Sequence, residues 1–368
     1  MNDTGVIFRV SLFGESHGPA VGAVIDGVPP GLPIEAADFG PDLARRRAGA
    51  PGTTPRAEPD EPELLSGVYR GRATGAPIAV VFKNRDTRSA DYEAFRAVPR
   101  PGHADFTGRL RYGGFEDPRG SGHFSGRVTA GVVAAGVVAK KILAPAAISS
   151  RILEAGGSSD IRAAVAAAAA DGDSVGALVE LRATGLTPGL GEPFWGALES
   201  RVAAALFAVP GVRGVEFGDG FAAARMRGSE HNDPIIGPDG RTAKNGAGGV
   251  NGGVSNGNEL VARVAFKPAS TIAKPQRSYD FEKGAMAELR GEGRHDACIA
   301  LRGAVALEAA MAIALADLAL LAATRGHKPA AGAAGAAGAR ELGEAGAGEP
   351  GVAAARIPGP AGVAARAA

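Results

Sequence analysis

Cysteine is almost absent from this sequence. The single Cys298 rules out an internal disulfide and a CxxC zinc site, and it suits a reducing compartment. Net charge is almost absent as well. A formal charge of +1 over 368 residues gives no argument for nucleic acid or an anionic membrane as a partner. The N-terminal residues lack the basic-then-apolar order of a signal peptide. No Walker P-loop is visible, which disfavours an ATP-using enzyme, and no internal repeat is visible either. One run, Ala304 to Ala323, is apolar enough to be mistaken for a membrane span. Glu308 and Asp317 fall inside it, and an acid near a bilayer centre costs about 2.5–3.5 kcal/mol on insertion scales. It reads better as a core or subunit-interface helix. The expectation is a cytoplasmic globular protein with no nucleic-acid or membrane partner and no metal.

The length permits a substantial core. Val6 to Phe13 reads as a β-branched and aromatic strand, followed by Val21 to Ile25 and a Gly/Pro-rich turn. A short helix is predicted over Glu35–Arg46. Residues 48–59 carry Pro, Gly and Thr and read as a basic loop able to close over a ligand. Leu64 to Tyr69 and Pro77 to Phe82 read as strands separated by a GRATG turn. Ser89 to Phe95 reads as a helical turn, and Ala130 to Leu143 as a helix. Further on come helices at Ser159–Ala170 and Trp195–Phe207, and strands at Ser174–Thr184, Gly214–Gly220 and Glu259–Phe266. Residues 237–257 are rich in Gly and Asn without periodicity, which marks a functional or disordered loop. From Gly326 onward the chain turns to Ala, Gly and Pro. It cannot bury enough surface to offset its chain entropy, so 1–325 is read as one catalytic domain and 326–368 as a disordered tail.

The chemistry concentrates in Arg100 to Thr129, RPGHADFTGRLRYGGFEDPRGSGHFSGRVT. His103 and Asp105 lie close together there, and a Gly-Ser-Gly turn leads to His123, Ser125 and Arg127 just before the apolar helix. A glycine-rich turn opening a helix presents unpaired amides and the positive end of the helix dipole, a setting that attracts phosphate. Two other segments share this vocabulary: Phe13-Gly14-Glu15-Ser16-His17-Gly18, and Lys267 to Thr271 together with Gly293-Arg294-His295-Asp296. Of the six histidines, His17, His103, His123 and His295 fall in these segments. Imidazoles exchange protons near neutral pH, so the clustering is that of an active site.

The motifs FGESHG, DGVPPG (Asp26 to Gly31), RPGHAD and GRHD, in this order, resemble those of the chorismate synthase family, and the resemblance runs from Val6 to about Ala323. It implies an α+β fold, a β-α-β sandwich in a single domain, assembled as a homotetramer. It implies conversion of 5-enolpyruvylshikimate 3-phosphate to chorismate by 1,4-anti elimination of phosphate, the last common step towards the aromatic amino acids. The cofactor implied is reduced FMN. NADPH would serve as reductant through a separate flavin reductase, since no obvious reductase insertion is present.

By resemblance, His17 protonates the leaving phosphate, His103 serves the flavin ring, and Asp296 takes the proton from flavin N5, with Ser16 and Ser125 as relays. FMN contacts map onto His123, Phe124, Ser125, Pro210, Gly211, Gly252, Lys267, Pro268, Ala269, Ser270, Thr271 and Arg294. Arg46, Arg56 and Arg127 fall to the substrate or NADP, in keeping with arginine's forked recognition of carboxylate and phosphate. The chain departs from the family pattern in places. GHFSGRVT stands where the family resembles GRSSARET, so His123 replaces an arginine, Phe124 a serine and Val128 a glutamate. An arginine expected near Pro51–Gly52 is missing, and Ala297 stands for a proline. Other readings are a Rossmann oxidoreductase, from the GxGxxA of Gly218 to Ala224, and a non-catalytic relative that keeps the fold.

Overall fold

A layer of helices separates two antiparallel sheets in the structure, a computed structural model that describes residues 2–56, 58–87, 89–291 and 295–326. The first sheet is built from β1 (Asp3–Thr4), β2 (Arg9–Gly14), β3 (Ala20–Asp26) and β4 (Glu63–Leu64). After a small hairpin of β5 (Val68–Tyr69) and β6 (Arg72–Ala73), β7 (Ile78–Lys83) completes it, in the order β1-β2-β3-β7-β4. Along β7 the side chains of Ile78, Val80 and Phe82 are fully buried while their neighbours turn outward, the period-2 alternation of a half-buried strand. The second sheet contains β8 (Ala147–Ala155), β9 (Ala177–Thr184), β10 (Val212–Phe217) and β13 (Leu260–Phe266), in the order β10-β13-β9-β8. A hairpin of β11 (Val250–Asn251) and β12 (Val254–Ser255) precedes β13, and one of β14 (Gln276–Asp280) and β15 (Ala285–Leu289) follows it.

The helices are α1 (Gly40–Arg46), α2 (Ala94–Ala97), α3 (Asp105–Tyr112), α4 (Thr129–Leu143), α5 (Ile161–Ala170), α6 (Leu198–Phe207), α7 (Gly228–His231) and α8 (Ala300–Thr324). α4 packs on β2, β3 and β7, α8 packs on β8 and β9, and the two helices pack on each other. Both are apolar nearly all round, as a helix buried between layers must be. Their close approach depends on Gly136, where an added Cβ would lie 2.3 Å from the Ala309 Cβ. The two acids of α8 are core anchors. Glu308 accepts from Arg45, Lys140 and Ser150, and Asp317 accepts from the backbone amides of Val6, Ile7 and Phe8 and from Arg201. α8 is therefore a core helix, although it is long and apolar enough to cross a membrane.

Several sequence expectations need correction. β8 has no counterpart among them: it is an edge strand carrying Ser149, Ser150, Arg151 and Glu154, and its half-exposed side chains blur the hydrophobic signal. α3 lies inside Arg100 to Thr129, where no helix is predicted before Ala130, its Gly108 and glycine-rich flanks hiding it. Leu64 to Tyr69 is not one strand, because Gly67 at φ 79° breaks it, and the GRATG turn holds β6. The hairpin β14–β15 also went unread. Most of the GxGxxA segment is the 3-10 turn Gly220–Arg225, beside antiparallel strands, so no dinucleotide-binding βαβ unit exists there. The tail expected over 326–368 lies, apart from Gly326, outside the described residues, as does Arg294.

Candidate active site

The loops bearing the histidines meet across the segment Arg119–Phe124. Gly120, Ser121 and Gly122 all have positive φ there, at 59°, 68° and 52°. This reversal puts Gly120 against one cavity and Ser121 against another. At Gly120 an added Cβ would meet the His17 ring at 2.5 Å and the Ser16 Oγ at 2.8 Å, so only glycine lets the backbone lie against this pair. Ser16 and His17 are both buried, just beyond the end of β2. His17 Nδ1 sits 3.1 Å from the Ser89 Oγ, and its ring meets Tyr92 edge to face.

The first cavity, of about 160 Å³, is lined by Ser16, Arg46, Arg56, Ser125, Arg127 and Asp296 of the predicted set. Thr54, Glu58, Asp60, Tyr92 and Arg302 line it as well. Each guanidinium is braced by a carboxylate. Arg46 donates to Asp60 Oδ2 at 2.8 Å and to the carbonyls of Gly126 and Arg127, and Arg127 donates to the other Asp60 oxygen. Arg56 donates to Glu58 at 2.7 Å and to the Ser16 Oγ at 2.8 Å. Arg302 donates to both oxygens of Asp296, at 3.3 and 3.2 Å, while the Thr54 amide donates to Asp296 Oδ1 at 2.8 Å. Burial, with Arg302 and Arg127 adding to it, lowers the Arg46 guanidinium to about 10 against the pull of Asp60. It remains a cation at neutral pH. Burial opposes ionisation of Asp60, but the two arginines win and hold its carboxyl below the usual range.

The second cavity, of about 430 Å³, is lined by His103, Asp105, Gly108, Ser121 and Phe124 among others. His103 Nδ1 lies 2.6 Å from Asp105 Oδ1, and Arg100 clamps the same carboxylate through Nε at 2.8 Å and Nη2 at 2.6 Å. The arginine and histidine drive the Asp105 carboxyl well below the usual range, against the opposing effect of burial. Burial pushes the His103 imidazole below its ordinary value, with Arg100 and Lys267 adding to it and Asp105 opposing. Asp105, held ionised, can only accept, so the short contact places an imidazole proton on Nδ1. Arg100 is buried against the Phe95 ring, and its Nη1 donates to the Thr271 Oγ1 at 2.9 Å. No sequence signal singled out Arg100, although it opens the RPGHAD motif.

Thr271 belongs to the loop after β13. In that loop Lys267 Nζ donates to the Gly102 carbonyl and to the Ser270 Oγ at 2.7 Å, and Ser270 donates to Gly102 at 2.8 Å. Lys267 pairs with no carboxylate among the described residues. Burial and the nearby Arg213 lower its ammonium. A desolvated cation with hydroxyl donors beside it fits a phosphate. Gly211 adjoins this loop, its carbonyl accepting from the Lys267 amide at 2.9 Å, with Pro210 exposed next to it. Pro268 and Ala269 continue it, the Ala269 carbonyl accepting from Ser174. His123 donates from Nδ1 to the Gly14 carbonyl at 2.8 Å, and Ser125 Oγ accepts from the Arg127 amide at 3.3 Å. Gly252 lines neither cavity: it sits at the exposed tip of the β11–β12 hairpin, an added Cβ there meeting nothing within 4 Å. Sequence reasoning also passed over Asp60, Glu58, Arg302 and Ser121. The acids sit in and just after the Pro-rich stretch read as a basic loop, where nothing local marks them as partners of arginines, and Arg302 sits on the first turn of a core helix.

An α+β sandwich whose arginine-lined cavity lies near a loop carrying a lysine and two hydroxyls has the chemistry of proteins that receive anionic, phosphorylated small molecules. Comparison with known proteins narrows this. A family model described as "Chorismate synthase" matches residues 8–320. The chain is similar to a chorismate synthase of Chitinophaga pinensis, 55% identical over 322 residues, covering 87% of this chain and 97% of that one. It is also similar to one of Aeropyrum pernix, 45% identical over 350 residues, covering 86% and 92%. A solved structure described as "Crystal Structure of Chorismate Synthase" superposes with a TM-score of 0.67 at 26% identity, covering 86% of this chain and 93% of that one. The chain belongs to the chorismate synthase family. It is accordingly a carbon–oxygen lyase acting on phosphates, with a role in aromatic amino-acid biosynthesis.

Proposed function

We propose that this protein converts 5-enolpyruvylshikimate 3-phosphate to chorismate and phosphate by 1,4-anti elimination, with reduced FMN as cofactor. The observation that carries this reading is the small cavity in which Arg46, Arg56, Arg127 and Arg302 stand braced beside Ser16 and Asp296. The substrate bears two carboxylates and a phosphate, and preorganised guanidiniums can receive these anions without first reorganising. Their carboxylate braces keep the mutual repulsion of four cations from spreading them.

His17, packed beside Ser16 and Gly120, is the proton donor to the departing phosphate. The Ser16 hydroxyl accepts from Arg56, so its own proton is free to be passed on. Ser125 is placed likewise, its oxygen taken by the Arg127 amide. Bound reduced FMN supplies transient electron donation and a hydrogen acceptor at N5, which breaking an unactivated C–H bond requires. Lys267, Ser270 and Thr271 would hold its phosphate, with Pro268, Ala269 and the Pro210–Gly211 turn alongside. His103, His123 and Phe124 would border its ring. Because the His103 imidazole is a weakened base, a proton placed on Nε2 is readily given up. Asp296, oriented by Thr54 and Arg302, is the proton acceptor on the other side.

The protein works as a homotetramer in the cytoplasm on a small-molecule substrate. FMN reduction comes from outside, NADPH acting through a separate reductase. The exposed Phe115, Phe194 and Trp195 suit burial between subunits. The test is anaerobic turnover with dithionite-reduced FMN, following chorismate absorbance and phosphate release together. No product under those conditions sinks the proposal. Aerobic turnover on NADPH and FMN alone would overturn the dependence on an outside reductase.

A further inference from the structure

Ser121 occupies a position that its backbone reserves for glycine. Its φ of 68° lies between two glycines of similar φ, and an L-residue there is strained. Its side chain explains what the strain maintains. The Ser121 Oγ accepts from Arg100 Nη2 at 2.9 Å and lies 3.3 Å from His103 Nε2. An ionised Asp105 can only accept, so its 2.6 Å contact requires the proton on His103 Nδ1, which Arg100 Nη2 also approaches at 3.1 Å, and Nε2 is left as a bare lone pair. With its oxygen already occupied by Arg100, the serine has one proton left, and Nε2 is the acceptor within reach.

We propose that Ser121 is a positioning residue for His103: its hydroxyl, polarised by Arg100, donates to Nε2 and locks the imidazole in the Nδ1–H tautomer at the wall of the larger cavity. The ring is then held from both sides, by Asp105 on α3 at one nitrogen and by the Arg119–Phe124 turn at the other. The charged groups that bear on the ring are Arg100, Asp105 and Lys267. Glu116, Asp117, Arg96 and Arg109 share the cavity it faces. A donor to Nε2 favours the unprotonated ring, so the serine works in the same direction as burial and against Asp105. The functional meaning rests on the reading of His103 as a flavin-side proton group, whereas the Ser121–His103 coupling itself stands on the geometry alone.

The experiment is a nitrogen-15 NMR titration of the histidine rings in the full chain, without cofactor. His103 is assigned by the signal that disappears in His103→Gln. Two variants remove the hydroxyl: Ser121→Ala keeps the backbone strain, and Ser121→Gly relieves it. The wild-type ring should show the Nδ1–H tautomer. In both variants its midpoint should rise by on the order of half to one pH unit, the equivalent of one modest hydrogen bond. Ser121→Gly should melt no lower than wild type, which excludes damaged folding as the cause. A wild-type proton on Nε2, an unmoved midpoint in both variants, or a rise in only one of them overturns the proposal. Turnover plays no part in this readout, so a failed titration and a failed elimination assay remain distinguishable.

Discussion

Asp60 offers the sharpest test of how the anion cavity is held. Its side chain is almost fully buried and bridges Arg46 and Arg127, which are as deeply buried as it is. Substitution Asp60→Asn preserves size and, at φ 49°, a backbone conformation that asparagine tolerates well. It removes only the charge. Deleting one partner of a buried ion pair costs about 3–5 kcal/mol, because the cations left behind are uncompensated. At about 2 °C per kcal/mol for a chain of this size, the melting temperature should fall by on the order of 6–10 °C. The effect also has a pH signature. The folded-state carboxyl lies below its usual value, so the wild type holds the full stabilisation above the ordinary carboxylate pKa near 4 and loses it as pH falls further, through the folded value. The difference between wild type and Asp60→Asn should therefore be flat from pH 6 to 8 and shrink only below about pH 4. Inorganic phosphate, entering beside the two unmatched arginines, should raise the variant's melting temperature more than that of the wild type. The assay is thermal unfolding by calorimetry across pH, with and without phosphate. A fall under 2 °C, or an equal phosphate response in both proteins, would refute the bracing argument.

Other consequences are simpler to state. His17→Ala and His103→Ala should each slow anaerobic turnover by about ten- to a hundred-fold or more, the scale of a positioned acid–base group, and unchanged rates in both would remove those assignments. Lys267→Ala should weaken FMN binding by roughly ten- to a hundred-fold, the worth of a charge-assisted hydrogen bond, as read by titration of flavin fluorescence; unaltered affinity would place the phosphate elsewhere. Gly136→Ala must push α4 and α8 apart, since the new methyl would lie 2.3 Å from the Ala309 Cβ. It should cost about 1–3 kcal/mol in denaturant unfolding, and a neutral result would show that the two helices are not in the contact described.

The core elements of the sandwich were legible because they follow simple periodicities. β3, β7, β9 and β13 alternate or run apolar between turn residues, α4 is a long apolar run, and the two acids of α8 mark it as a core helix and not a membrane span. What escaped were elements whose environment is supplied from elsewhere in the chain. β8 takes its place by pairing with β9, and its polar side chains reach across to others, as Ser150 does to Glu308. The serine thus reads as surface in a list of residues and as a buried-acid partner in space. α3 is short and carries a glycine that matters for packing: an added Cβ at Gly108 would strike the Phe124 ring at 2.7 Å. Propensity alone marks that glycine as a helix breaker, while in the fold its bare face is where the Phe124 ring rests.

The site divides along the same line. Residues with chemically distinctive side chains in short motifs, such as His17, His103 and Asp296, could be named because the motif itself is the signal. The residues that set their behaviour could not, since neither a bend that brings near neighbours together, as Arg100 and Asp105, nor a pairing across many positions, as Arg100 and Thr271, leaves a local trace. Arg302 reaches back to the Arg46 carbonyl at 2.8 Å while holding Asp296, and Arg100 ties Asp105, Ser121 and Thr271 into one assembly. That assembly ties His103, through Asp105, Arg100 and Thr271, to the loop after β13, a linkage that no single motif contains and that only the folded chain assembles.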